Sequence, residues 1–357
     1  MKFSLFHQVE RYDDSISHRQ LQEELTELTL MAERGGFDKV WVGEHHAMEF
    51  TVSPSAFVSL AYLAGQTSTI RLGTGTAIAP FFHPIRMAGE IGQLDVMSNG
   101  RLDVGIARGA YMFEYERQLP NFSSFTGDKK AADVAMDAGL RMRELIPAVQ
   151  QLLIGNYAHE GTYWQFPSTT AVPRPIQKPF PPMWVAARDP NTHSFAVAHG
   201  CNIQVTPLHL GESEVAGLMD KFNAACAENP TMPRPEVMLL MHTYVAETED
   251  EIVRGSRDME EFFHYFAKWF RNTAPIVDGF IEPVTQEDRA LNPAYAASEL
   301  RKNMVVGTPD EVIAKIKGYE ALGYDEFSIW LDSHMDFEQK SKSLSLFIDK
   351  VVPAFNN

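Results

Sequence analysis

The chain has 357 residues, and its 31 Lys and Arg against 47 Asp and Glu give a formal net charge of −16 at pH 7. A strongly acidic chain is a poor partner for nucleic acid or an anionic membrane surface, because both attract basic patches. No apolar run approaches the roughly 20 residues of a membrane-spanning helix, and Cys201 and Cys226 alone form neither a disulfide framework nor a metal-binding pattern. The composition predicts a soluble, cytoplasmic protein without a bound metal.

Short apolar runs alternate with amphipathic helical patterns along the whole sequence. The runs predicted as strands are residues 2–8, 39–43, 70–80, 102–107, 183–187, 202–205, 237–246 and 326–331. The helices are predicted at residues 19–34, 55–66, 83–98, 132–154, 191–199, 212–225 and 249–271, with one that begins at Thr308 and a closing helix around 344–351. Thr308 is a strong helix start because it can cap the N-terminus, with Pro309 at the first helical position and Glu311 three residues after the cap.

This order of elements predicts an α/β fold, and within that class a (β/α)₈ or TIM barrel. The continuous apolar character of the runs suits strands of a parallel sheet that is covered on both faces. About 250 residues suffice for such a barrel, so the surplus is expected in two insertions of a single domain spanning 1–357, at 121–137 after strand four and 273–299 after helix seven. Long segments without clear elements usually act as lids or are disordered. An open doubly wound sheet is the alternative, but no Gly-x-Gly-x-x-Gly motif follows the first strand.

Barrel enzymes place their active sites at the C-terminal ends of the strands, so the residues at those ends are the candidates for chemistry. Strand two ends in Glu44-His45-His46. Adjacent strand residues point to opposite faces, so both histidines reach the mouth only if the strand breaks there. A histidine in this place suits general acid or base work near neutral pH. A hydrogen-bonded structural histidine is the alternative.

Strand three ends in small residues that include Gly75 and Thr76, which would let a flat ligand approach the backbone. A β-bulge that helps to close the barrel is the alternative interpretation. Strand four ends at Arg108, followed by a glycine, and an arginine there can grip a phosphate with two hydrogen bonds or form an ion pair on the rim.

The fifth strand runs directly into a helix through residues 187–192. A helix N-terminus binds anions through its free N–H groups and its dipole, although Asn191 or Thr192 can also serve simply as the cap. Two cationic side chains, Arg108 and Arg188, and a helix N-terminus on one rim together predict a phosphorylated cofactor.

The chain resembles the bacterial luciferase-like flavin monooxygenase family in motifs that follow one another along nearly its whole length. They are Val42-Gly43-Glu44-His45-His46, Gly73-Thr74 and Gly105-Ile106-Ala107-Arg108-Gly109, together with Phe37-Asp38-Lys39-Val40-Trp41, His83-Pro84-Ile85-Arg86, the segment from Asp95 to Arg101 and Val306-Gly307-Thr308-Pro309. The order of these motifs is specific, although each one alone is not. The family fold is a TIM barrel with the flavin in its C-terminal mouth, in agreement with the strand count.

The resemblance also implies roles for individual residues. His45 matches the family's active-site histidine, which would assist oxygenation by the flavin or the proton transfers that follow. Gly75 and Thr76 match a pair joined by a non-proline cis peptide beneath the flavin ring. The cofactor-binding residues implied around the phosphate are Arg108 and the loop residues Ala187, Arg188, Asn191 and Thr192.

On the substrate side the resemblance implies Tyr111, with Phe81 as a further aromatic residue and Glu44 as a support of the strand end beside the substrate. Residues 273–299 match the lid of the luciferase-like enzymes. Ala107 stands where the luciferases carry a reactive cysteine, so the flavin pocket is expected but light emission is not.

The family resemblance predicts a monooxygenase that uses O₂ and reduced FMN, supplied by a separate flavin reductase, to oxygenate a small apolar aldehyde, ketone or alkane-like substrate. It also predicts a homodimer. A deazaflavin-dependent hydride-transfer oxidoreductase on the same barrel is the first alternative. A non-catalytic flavin-binding relative is the second.

Overall fold

The computed structural model of the chain describes residues 1–119 and 131–355. Its strands are β1 (Lys2–His7), β2 (Lys39–Val42), β3 (Arg71–Ile78), β4 (Leu102–Ala107), β5 (Tyr157–Glu160), β6 (Gln165–Thr169), β7 (Met183–Ala186), β8 (Asn202–Val205), β9 (Val237–Val245), β10 (Ile276–Val277), β11 (Phe280–Ile281), β12 (Val305–Gly307) and β13 (Glu326–Trp330). Its α-helices are α1 (His18–Arg34), α2 (Ala56–Ala64), α3 (Pro84–Met97), α4 (Met112–Gln118), α5 (Ala131–Ile154), α6 (Pro190–Ala198), α7 (Glu212–Glu228), α8 (Glu249–Arg271), α9 (Gln286–Leu291), α10 (Ala297–Asn303), α11 (Pro309–Leu322) and α12 (Phe337–Leu346).

Eight of these strands close into a parallel barrel, which confirms the predicted fold class. Hydrogen-bonded neighbours follow the order β1, β2, β3, β4, β7, β8, β9 and β13, and β13 pairs in turn with β1. These are the eight runs that the apolar pattern predicts as strands. Among the helices of the described residues, none is long and apolar enough to cross a membrane.

Several elements lie outside the pattern that the sequence predicts. The hairpin β5–β6 precedes the fifth barrel strand, and β12 pairs with the upper end of the long strand β9. The last helix already begins at Phe337. Residues 273–299 contain the hairpin β10–β11, the helix α9 and the first turn of α10. Of the other expected insertion, residues 121–130 lie outside the described residues, and 131–137 belong to α5.

The lower end of the barrel is closed by a buried charged layer. Lys39 begins β2 and Glu326 begins β13, and the Nζ atom of Lys39 lies 2.7 Å from Oε2 of Glu326. The indole N–H of Trp41 donates to the other oxygen of Glu326 at 2.9 Å. Trp184 and Arg71 bind Asp103 beside this pair, at 2.9 and 2.6 Å. These polar side chains form the floor of the barrel. The residues considered for catalysis lie at the opposite, open end.

A single carboxylate fastens the end of α1 to the start of β3. One oxygen of Glu33 accepts the backbone N–H groups of Ser68, Thr69 and Ile70 at 2.8, 2.6 and 3.0 Å. Burial alone would raise the pKa of Glu33, but these N–H groups outweigh it and lower the pKa from 4.5 to about 2. The contact therefore stabilises the fold fully above about pH 4.5, and the stabilisation is lost as the pH falls through about 2.

We expect Glu33→Ala to lower the free energy of unfolding at pH 7 by about 1–2 kcal/mol, because three N–H donors lose a charged acceptor. Denaturant unfolding at pH 7 measures this difference. Glu23→Ala on the same helix is the matched control, since Glu23 is exposed and Arg19 is its one ion-pair partner in the described part of the chain. Equal stability of the two variants would contradict the role of Glu33.

Candidate active site

Two histidines emerge at the mouth of the barrel directly after β2. The strand ends at Val42, so the alternation of strand faces no longer applies, and His45 and His46 each reach a different glutamate. Nδ1 of His45 lies 2.9 Å from Oε2 of Glu114, and Nε2 of His46 lies 3.3 Å from Oε1 of Glu44. Both histidine side chains are about one-fifth exposed, at 19% and 18%. The strand break that the sequence analysis required for both histidines is therefore present.

Glu114 forms hydrogen bonds with both histidines at the mouth of the barrel. It lies on the short helix α4 after the fourth barrel strand, and its side chain is 1% exposed. One oxygen binds the ring of His45, and the other accepts the backbone N–H of His46 at 2.8 Å. The sequence analysis missed Glu114, because a lone acidic residue on a short helix has no spacing pattern that connects it with a histidine 69 positions earlier.

Glu44 connects the second and third strands. It is buried, and its Oε1 atom accepts the backbone N–H of Ile78 at 3.2 Å as well as facing His46. Its Oε2 atom is buried without a hydrogen-bond partner among the described residues. The structural part of the expectation for Glu44, support of the strand end, is confirmed. A contact between Glu44 and substrate stays a prediction.

At the end of β3, the backbone of Gly75 and Thr76 forms a surface that we call the shelf. The peptide bond between Gly75 and Thr76 is cis, as the resemblance implies. A Cβ atom on Gly75 would lie 3.0 Å from Trp41 and 3.2 Å from the ring of Phe6, so the backbone packs directly on aromatic rings. On β4, a Cβ atom on Gly105 would lie 2.2 Å from a backbone oxygen of β3. The missing side chains at both positions therefore let neighbouring strands and rings pack closely in this part of the barrel.

Arg108 projects from the end of β4 and is exposed. One of its guanidinium nitrogens donates to the backbone oxygen of Ala135 at 3.1 Å, and the side chain forms no ion pair with the residues the structure describes. Gly109 follows with φ of +91°, and a Cβ atom there would lie 2.8 Å from the hydroxyl of Tyr115. The alternative interpretation, in which Arg108 forms an ion pair on the rim, therefore finds no acidic partner in residues 1–119 or 131–355.

The loop before α6 differs from its predicted form. Asp189 caps the helix, because Pro190 occupies the first helical position and places the cap one residue earlier. The carboxylate of Asp189 accepts the backbone N–H of Thr192 at 3.0 Å and its hydroxyl at 2.7 Å. The alternative in which Asn191 or Thr192 is the cap is therefore wrong. Asn191 itself is exposed.

The remaining loop residues divide into one buried and one exposed position. Ala187 is buried directly after the end of β7. Arg188 is 44% exposed and pairs with Glu214 of α7 at 3.1 Å. A phosphate would therefore compete with Glu214 for Arg188, whereas Arg108 has no such competitor among the described residues.

Aromatic rings enclose the histidines. The ring of Tyr111 meets His45 edge-on at 4.8 Å, and Phe81 meets His46 at 5.2 Å. Phe270, 50% exposed on α8, lies 5.7 Å from Tyr111. Tyr111 and Phe81 thus lie beside the histidines, at the side on which the sequence analysis expects the substrate.

The mouth of the parallel barrel combines the backbone at Gly75–Thr76, an arginine without an ion-pair partner among the described residues, and a histidine bound to a buried glutamate. This arrangement suits an enzyme that works with a flat, phosphorylated cofactor. Residues 1–326 match the family described as Luciferase-like monooxygenase. The chain belongs to this family, as the resemblance predicts.

Relatives and solved structures agree with this assignment. The chain is 51% identical over 356 residues to the flavin-dependent trigonelline monooxygenase, oxygenase component, of Acinetobacter baylyi, which covers 100% of this chain and 96% of the relative. The monooxygenase RslO1 of Streptomyces bottropensis superimposes with a TM-score of 0.79 at 27% identity over 99% of this chain and 100% of that one. The oxygenating constituent of 3,6-diketocamphane monooxygenase of Pseudomonas putida, in complex with FMN, shares the fold at 19% identity, with a TM-score of 0.73 over 99% and 98% of the two chains. The predictions of an enzyme and of a flavin-dependent monooxygenase are confirmed at the level of class.

Proposed function

We propose that this chain is the oxygenase component of a two-component system that uses reduced FMN and O₂ to oxygenate a planar pyridine-type substrate. The observation that supports this most directly is the His45–Glu114 pair at 2.9 Å, on the rim that also carries the Gly75–Thr76 shelf and Arg108. The 51% identity to an oxygenase component supports a separate reductase as the source of reduced flavin.

The residues at the mouth fit a flavin. Gly75 carries no side chain, so a planar ring can approach the backbone there closely. The buried amide nitrogen of Gln204, without a hydrogen-bond partner in the described parts of the chain, can donate to a ring oxygen or nitrogen. Arg108 would bind the phosphate, with the 187–192 loop as the second contact. When bound, the reduced flavin supplies the oxygen-activating chemistry.

The chain's own residues orient the histidine and exclude water. Glu114 binds the Nδ1 side of His45, which leaves Nε2 for proton transfer at the mouth. The rings of Tyr111 and Phe81 cover the two histidines and keep bulk water from the reacting atoms. Residues 273–299 are proposed as the lid, and the hairpin β10–β11 within them binds the loop after β2 through a hydrogen bond from the N–H of Glu49 to the backbone oxygen of Gly279.

We propose a homodimer in which α2 contributes to the contact between the subunits. Val58 and Tyr62 lie one turn apart on this helix and are 69% and 54% exposed, so they present an apolar surface that a second subunit can cover. Light scattering of the purified chain measures the oligomeric state, and a monomer at micromolar concentration would contradict this proposal.

The substrate class comes from the name of the relative, whose substrate is trigonelline, an N-methylated pyridine carboxylate. The apolar aldehydes, ketones and alkane-like compounds expected from the sequence remain the second candidate. Oxygen uptake and product formation with reduced FMN, a reductase and each compound distinguish the two classes. Anaerobic reconstitution with a deazaflavin tests the hydride-transfer alternative. If reduced FMN were oxidised at the same rate with every compound, the proposed function would be wrong.

We expect Arg108→Ala to weaken the binding of reduced FMN by about tenfold or more, because a charge-assisted contact to the phosphate is lost. Anaerobic titration of the chain with reduced FMN measures the dissociation constant. Arg86→Ala is the matched control, since Arg86 is 66% exposed and, among the described residues, forms an ion pair with Glu90 on α3 and a cation–π contact with Phe82. Equal affinity of the Arg108 and Arg86 variants would remove Arg108 from the cofactor site.

A further inference from the structure

Two stacked rings at the top of the barrel carry unsatisfied nitrogen atoms. Trp330 ends β13, and His242 lies beside it in the register of β9, with ring centroids 4.1 Å apart and planes inclined by 21°. Nε1 of Trp330 and Nε2 of His242 are buried and have no hydrogen-bond partner in residues 1–119 and 131–355. The two residues are only 7% and 1% exposed. A buried N–H without an acceptor is costly, so this pair points to a ligand that supplies one.

Ring contacts link this pair with both sides of the proposed active site. Phe6, which packs on the shelf at Gly75, meets Trp330 at 4.8 Å. On the other side, Phe262 of α8 lies 4.7 Å from His242.

The second series of rings continues from Phe262 along the same helix. Phe266 stacks 6.3 Å from Phe262 and lies 6.3 Å from Tyr111, which in turn meets His45. The rings of α8 and those at the barrel mouth thus form one continuous row of contacts, called the aromatic wall here. The Trp330–His242 pair belongs to this wall. A flat ring held by this wall would lie between the flavin shelf and His45.

The nitrogens of the pair suit an acceptor. The indole N–H of Trp330 can only donate. Nδ1 of His242 lies 2.7 Å from the hydroxyl of Ser333, and when that hydroxyl donates, the ring proton lies on Nε2. Burial lowers the pKa of His242 to about 3, so the ring is neutral at physiological pH and supplies a hydrogen bond without a charge. The nearby carboxylate of Asp332 is bound by Lys340 at 3.1 Å and by the N–H of Gln8 at 2.8 Å, and is therefore compensated.

We propose that Trp330 Nε1 and His242 Nε2 bind the carboxylate of a planar aromatic acid, and so select acids over analogues that lack the carboxylate. Two N–H donors suit a carboxylate, because its two oxygens share a negative charge that strengthens each hydrogen bond, whereas the single oxygen of an amide is uncharged. This inference rests on the proposed function, because it concerns the same substrate class, and it assigns the groups that recognise it.

The test is equilibrium binding by titration calorimetry to the chain saturated with FMN. The ligands are trigonelline, the matching N-methylpyridinium carboxamide and N-methylpyridinium without a substituent. We expect the wild type to prefer the acid, and Trp330→Phe, which keeps the ring and removes the N–H, to bind the acid about tenfold more weakly. N-methylpyridinium, which carries no acceptor oxygen, should bind both proteins equally, and the carboxamide should lose less affinity than the acid. Trp164→Phe, on the external hairpin β5–β6, is the matched control and should leave every affinity unchanged.

Three outcomes would overturn the assignment. The wild type could show no preference for the acid, or bind none of the three ligands. This measurement uses the wild type alone, so it does not depend on whether a variant folds. The acid could bind Trp330→Phe as tightly as the wild type. Trp330→Phe could instead weaken FMN binding alone, which would assign the N–H to the cofactor. Tight, selective binding of the acid without any oxygenation would contradict the proposed function and leave the recognition site intact.

Discussion

Replacing His45 with alanine is expected to lower the rate of product formation by about 10²- to 10⁴-fold, the range that a positioned acid or base contributes. The physical reason is the loss of Nε2 as the proton-transfer group, since Nδ1 is bound to Glu114 at 2.9 Å. Because neither Arg108 nor the Gly75 shelf contacts the His45 side chain in the structure, the affinity for reduced FMN should change little. Single-turnover assays with stoichiometric reduced FMN measure both quantities.

Glu114 provides the companion test, because it acts through His45. Glu114→Gln keeps the size of the side chain but loses a charged acceptor for the ring and for the N–H of His46, so we expect a lower kcat with a nearly unchanged KM. Glu114→Asp retains the charge and should recover part of the rate. A rate for His45→Ala equal to that of the wild type would end the assignment of His45, and a Glu114→Gln rate equal to that of the wild type would end the positioning role of Glu114.

The largest effect on stability is expected at the floor of the barrel. Lys39→Met should lower the free energy of unfolding by about 3–5 kcal/mol, because Glu326 is then left charged and buried without its partner. Lys39 is 2% exposed, lies 2.7 Å from Glu326 and also sits 4.6 Å above the ring of Trp184. Attraction to Glu326 outweighs burial and holds the pKa of Lys39 above its usual value. Chemical denaturation followed by circular dichroism measures the loss.

The chain supplies a matched control on the neighbouring strand. Lys2 of β1 pairs with Glu236 at 2.6 Å, but the two side chains are 45% and 40% exposed, so Lys2→Met should cost less than about 1 kcal/mol. The double variant Lys39→Met with Glu326→Gln should recover much of the stability, because the buried charge is removed while the amide oxygen still accepts from Trp41. If Lys2→Met and Lys39→Met destabilised the chain equally, the buried pair would have no special role.

The sequence by itself determined the barrel, the family and the class of enzyme. Each of the eight strands is a local apolar run, and the helix start at Thr308 is a local capping signal, with the capping box present as predicted. The motif around His45 and the arginine after β4 are also contiguous in the chain, which is why family and enzyme class were predictable. Such features depend on neighbours within a few residues, and periodicity and motif order report them directly.

Only the tertiary structure decided which side chains meet. Glu114 reaches His45 across 69 positions, and Glu326 reaches Lys39 across 287. Trp330 and His242 become neighbours because β13 pairs with β9. These partners depend on the closure of the barrel and on its register, and no local pattern encodes either of them. The physical reason is that a buried charge or N–H group has lost its hydrogen bonds to water. Whether its burial is costly then depends on the partner that lies beside it once the barrel has closed.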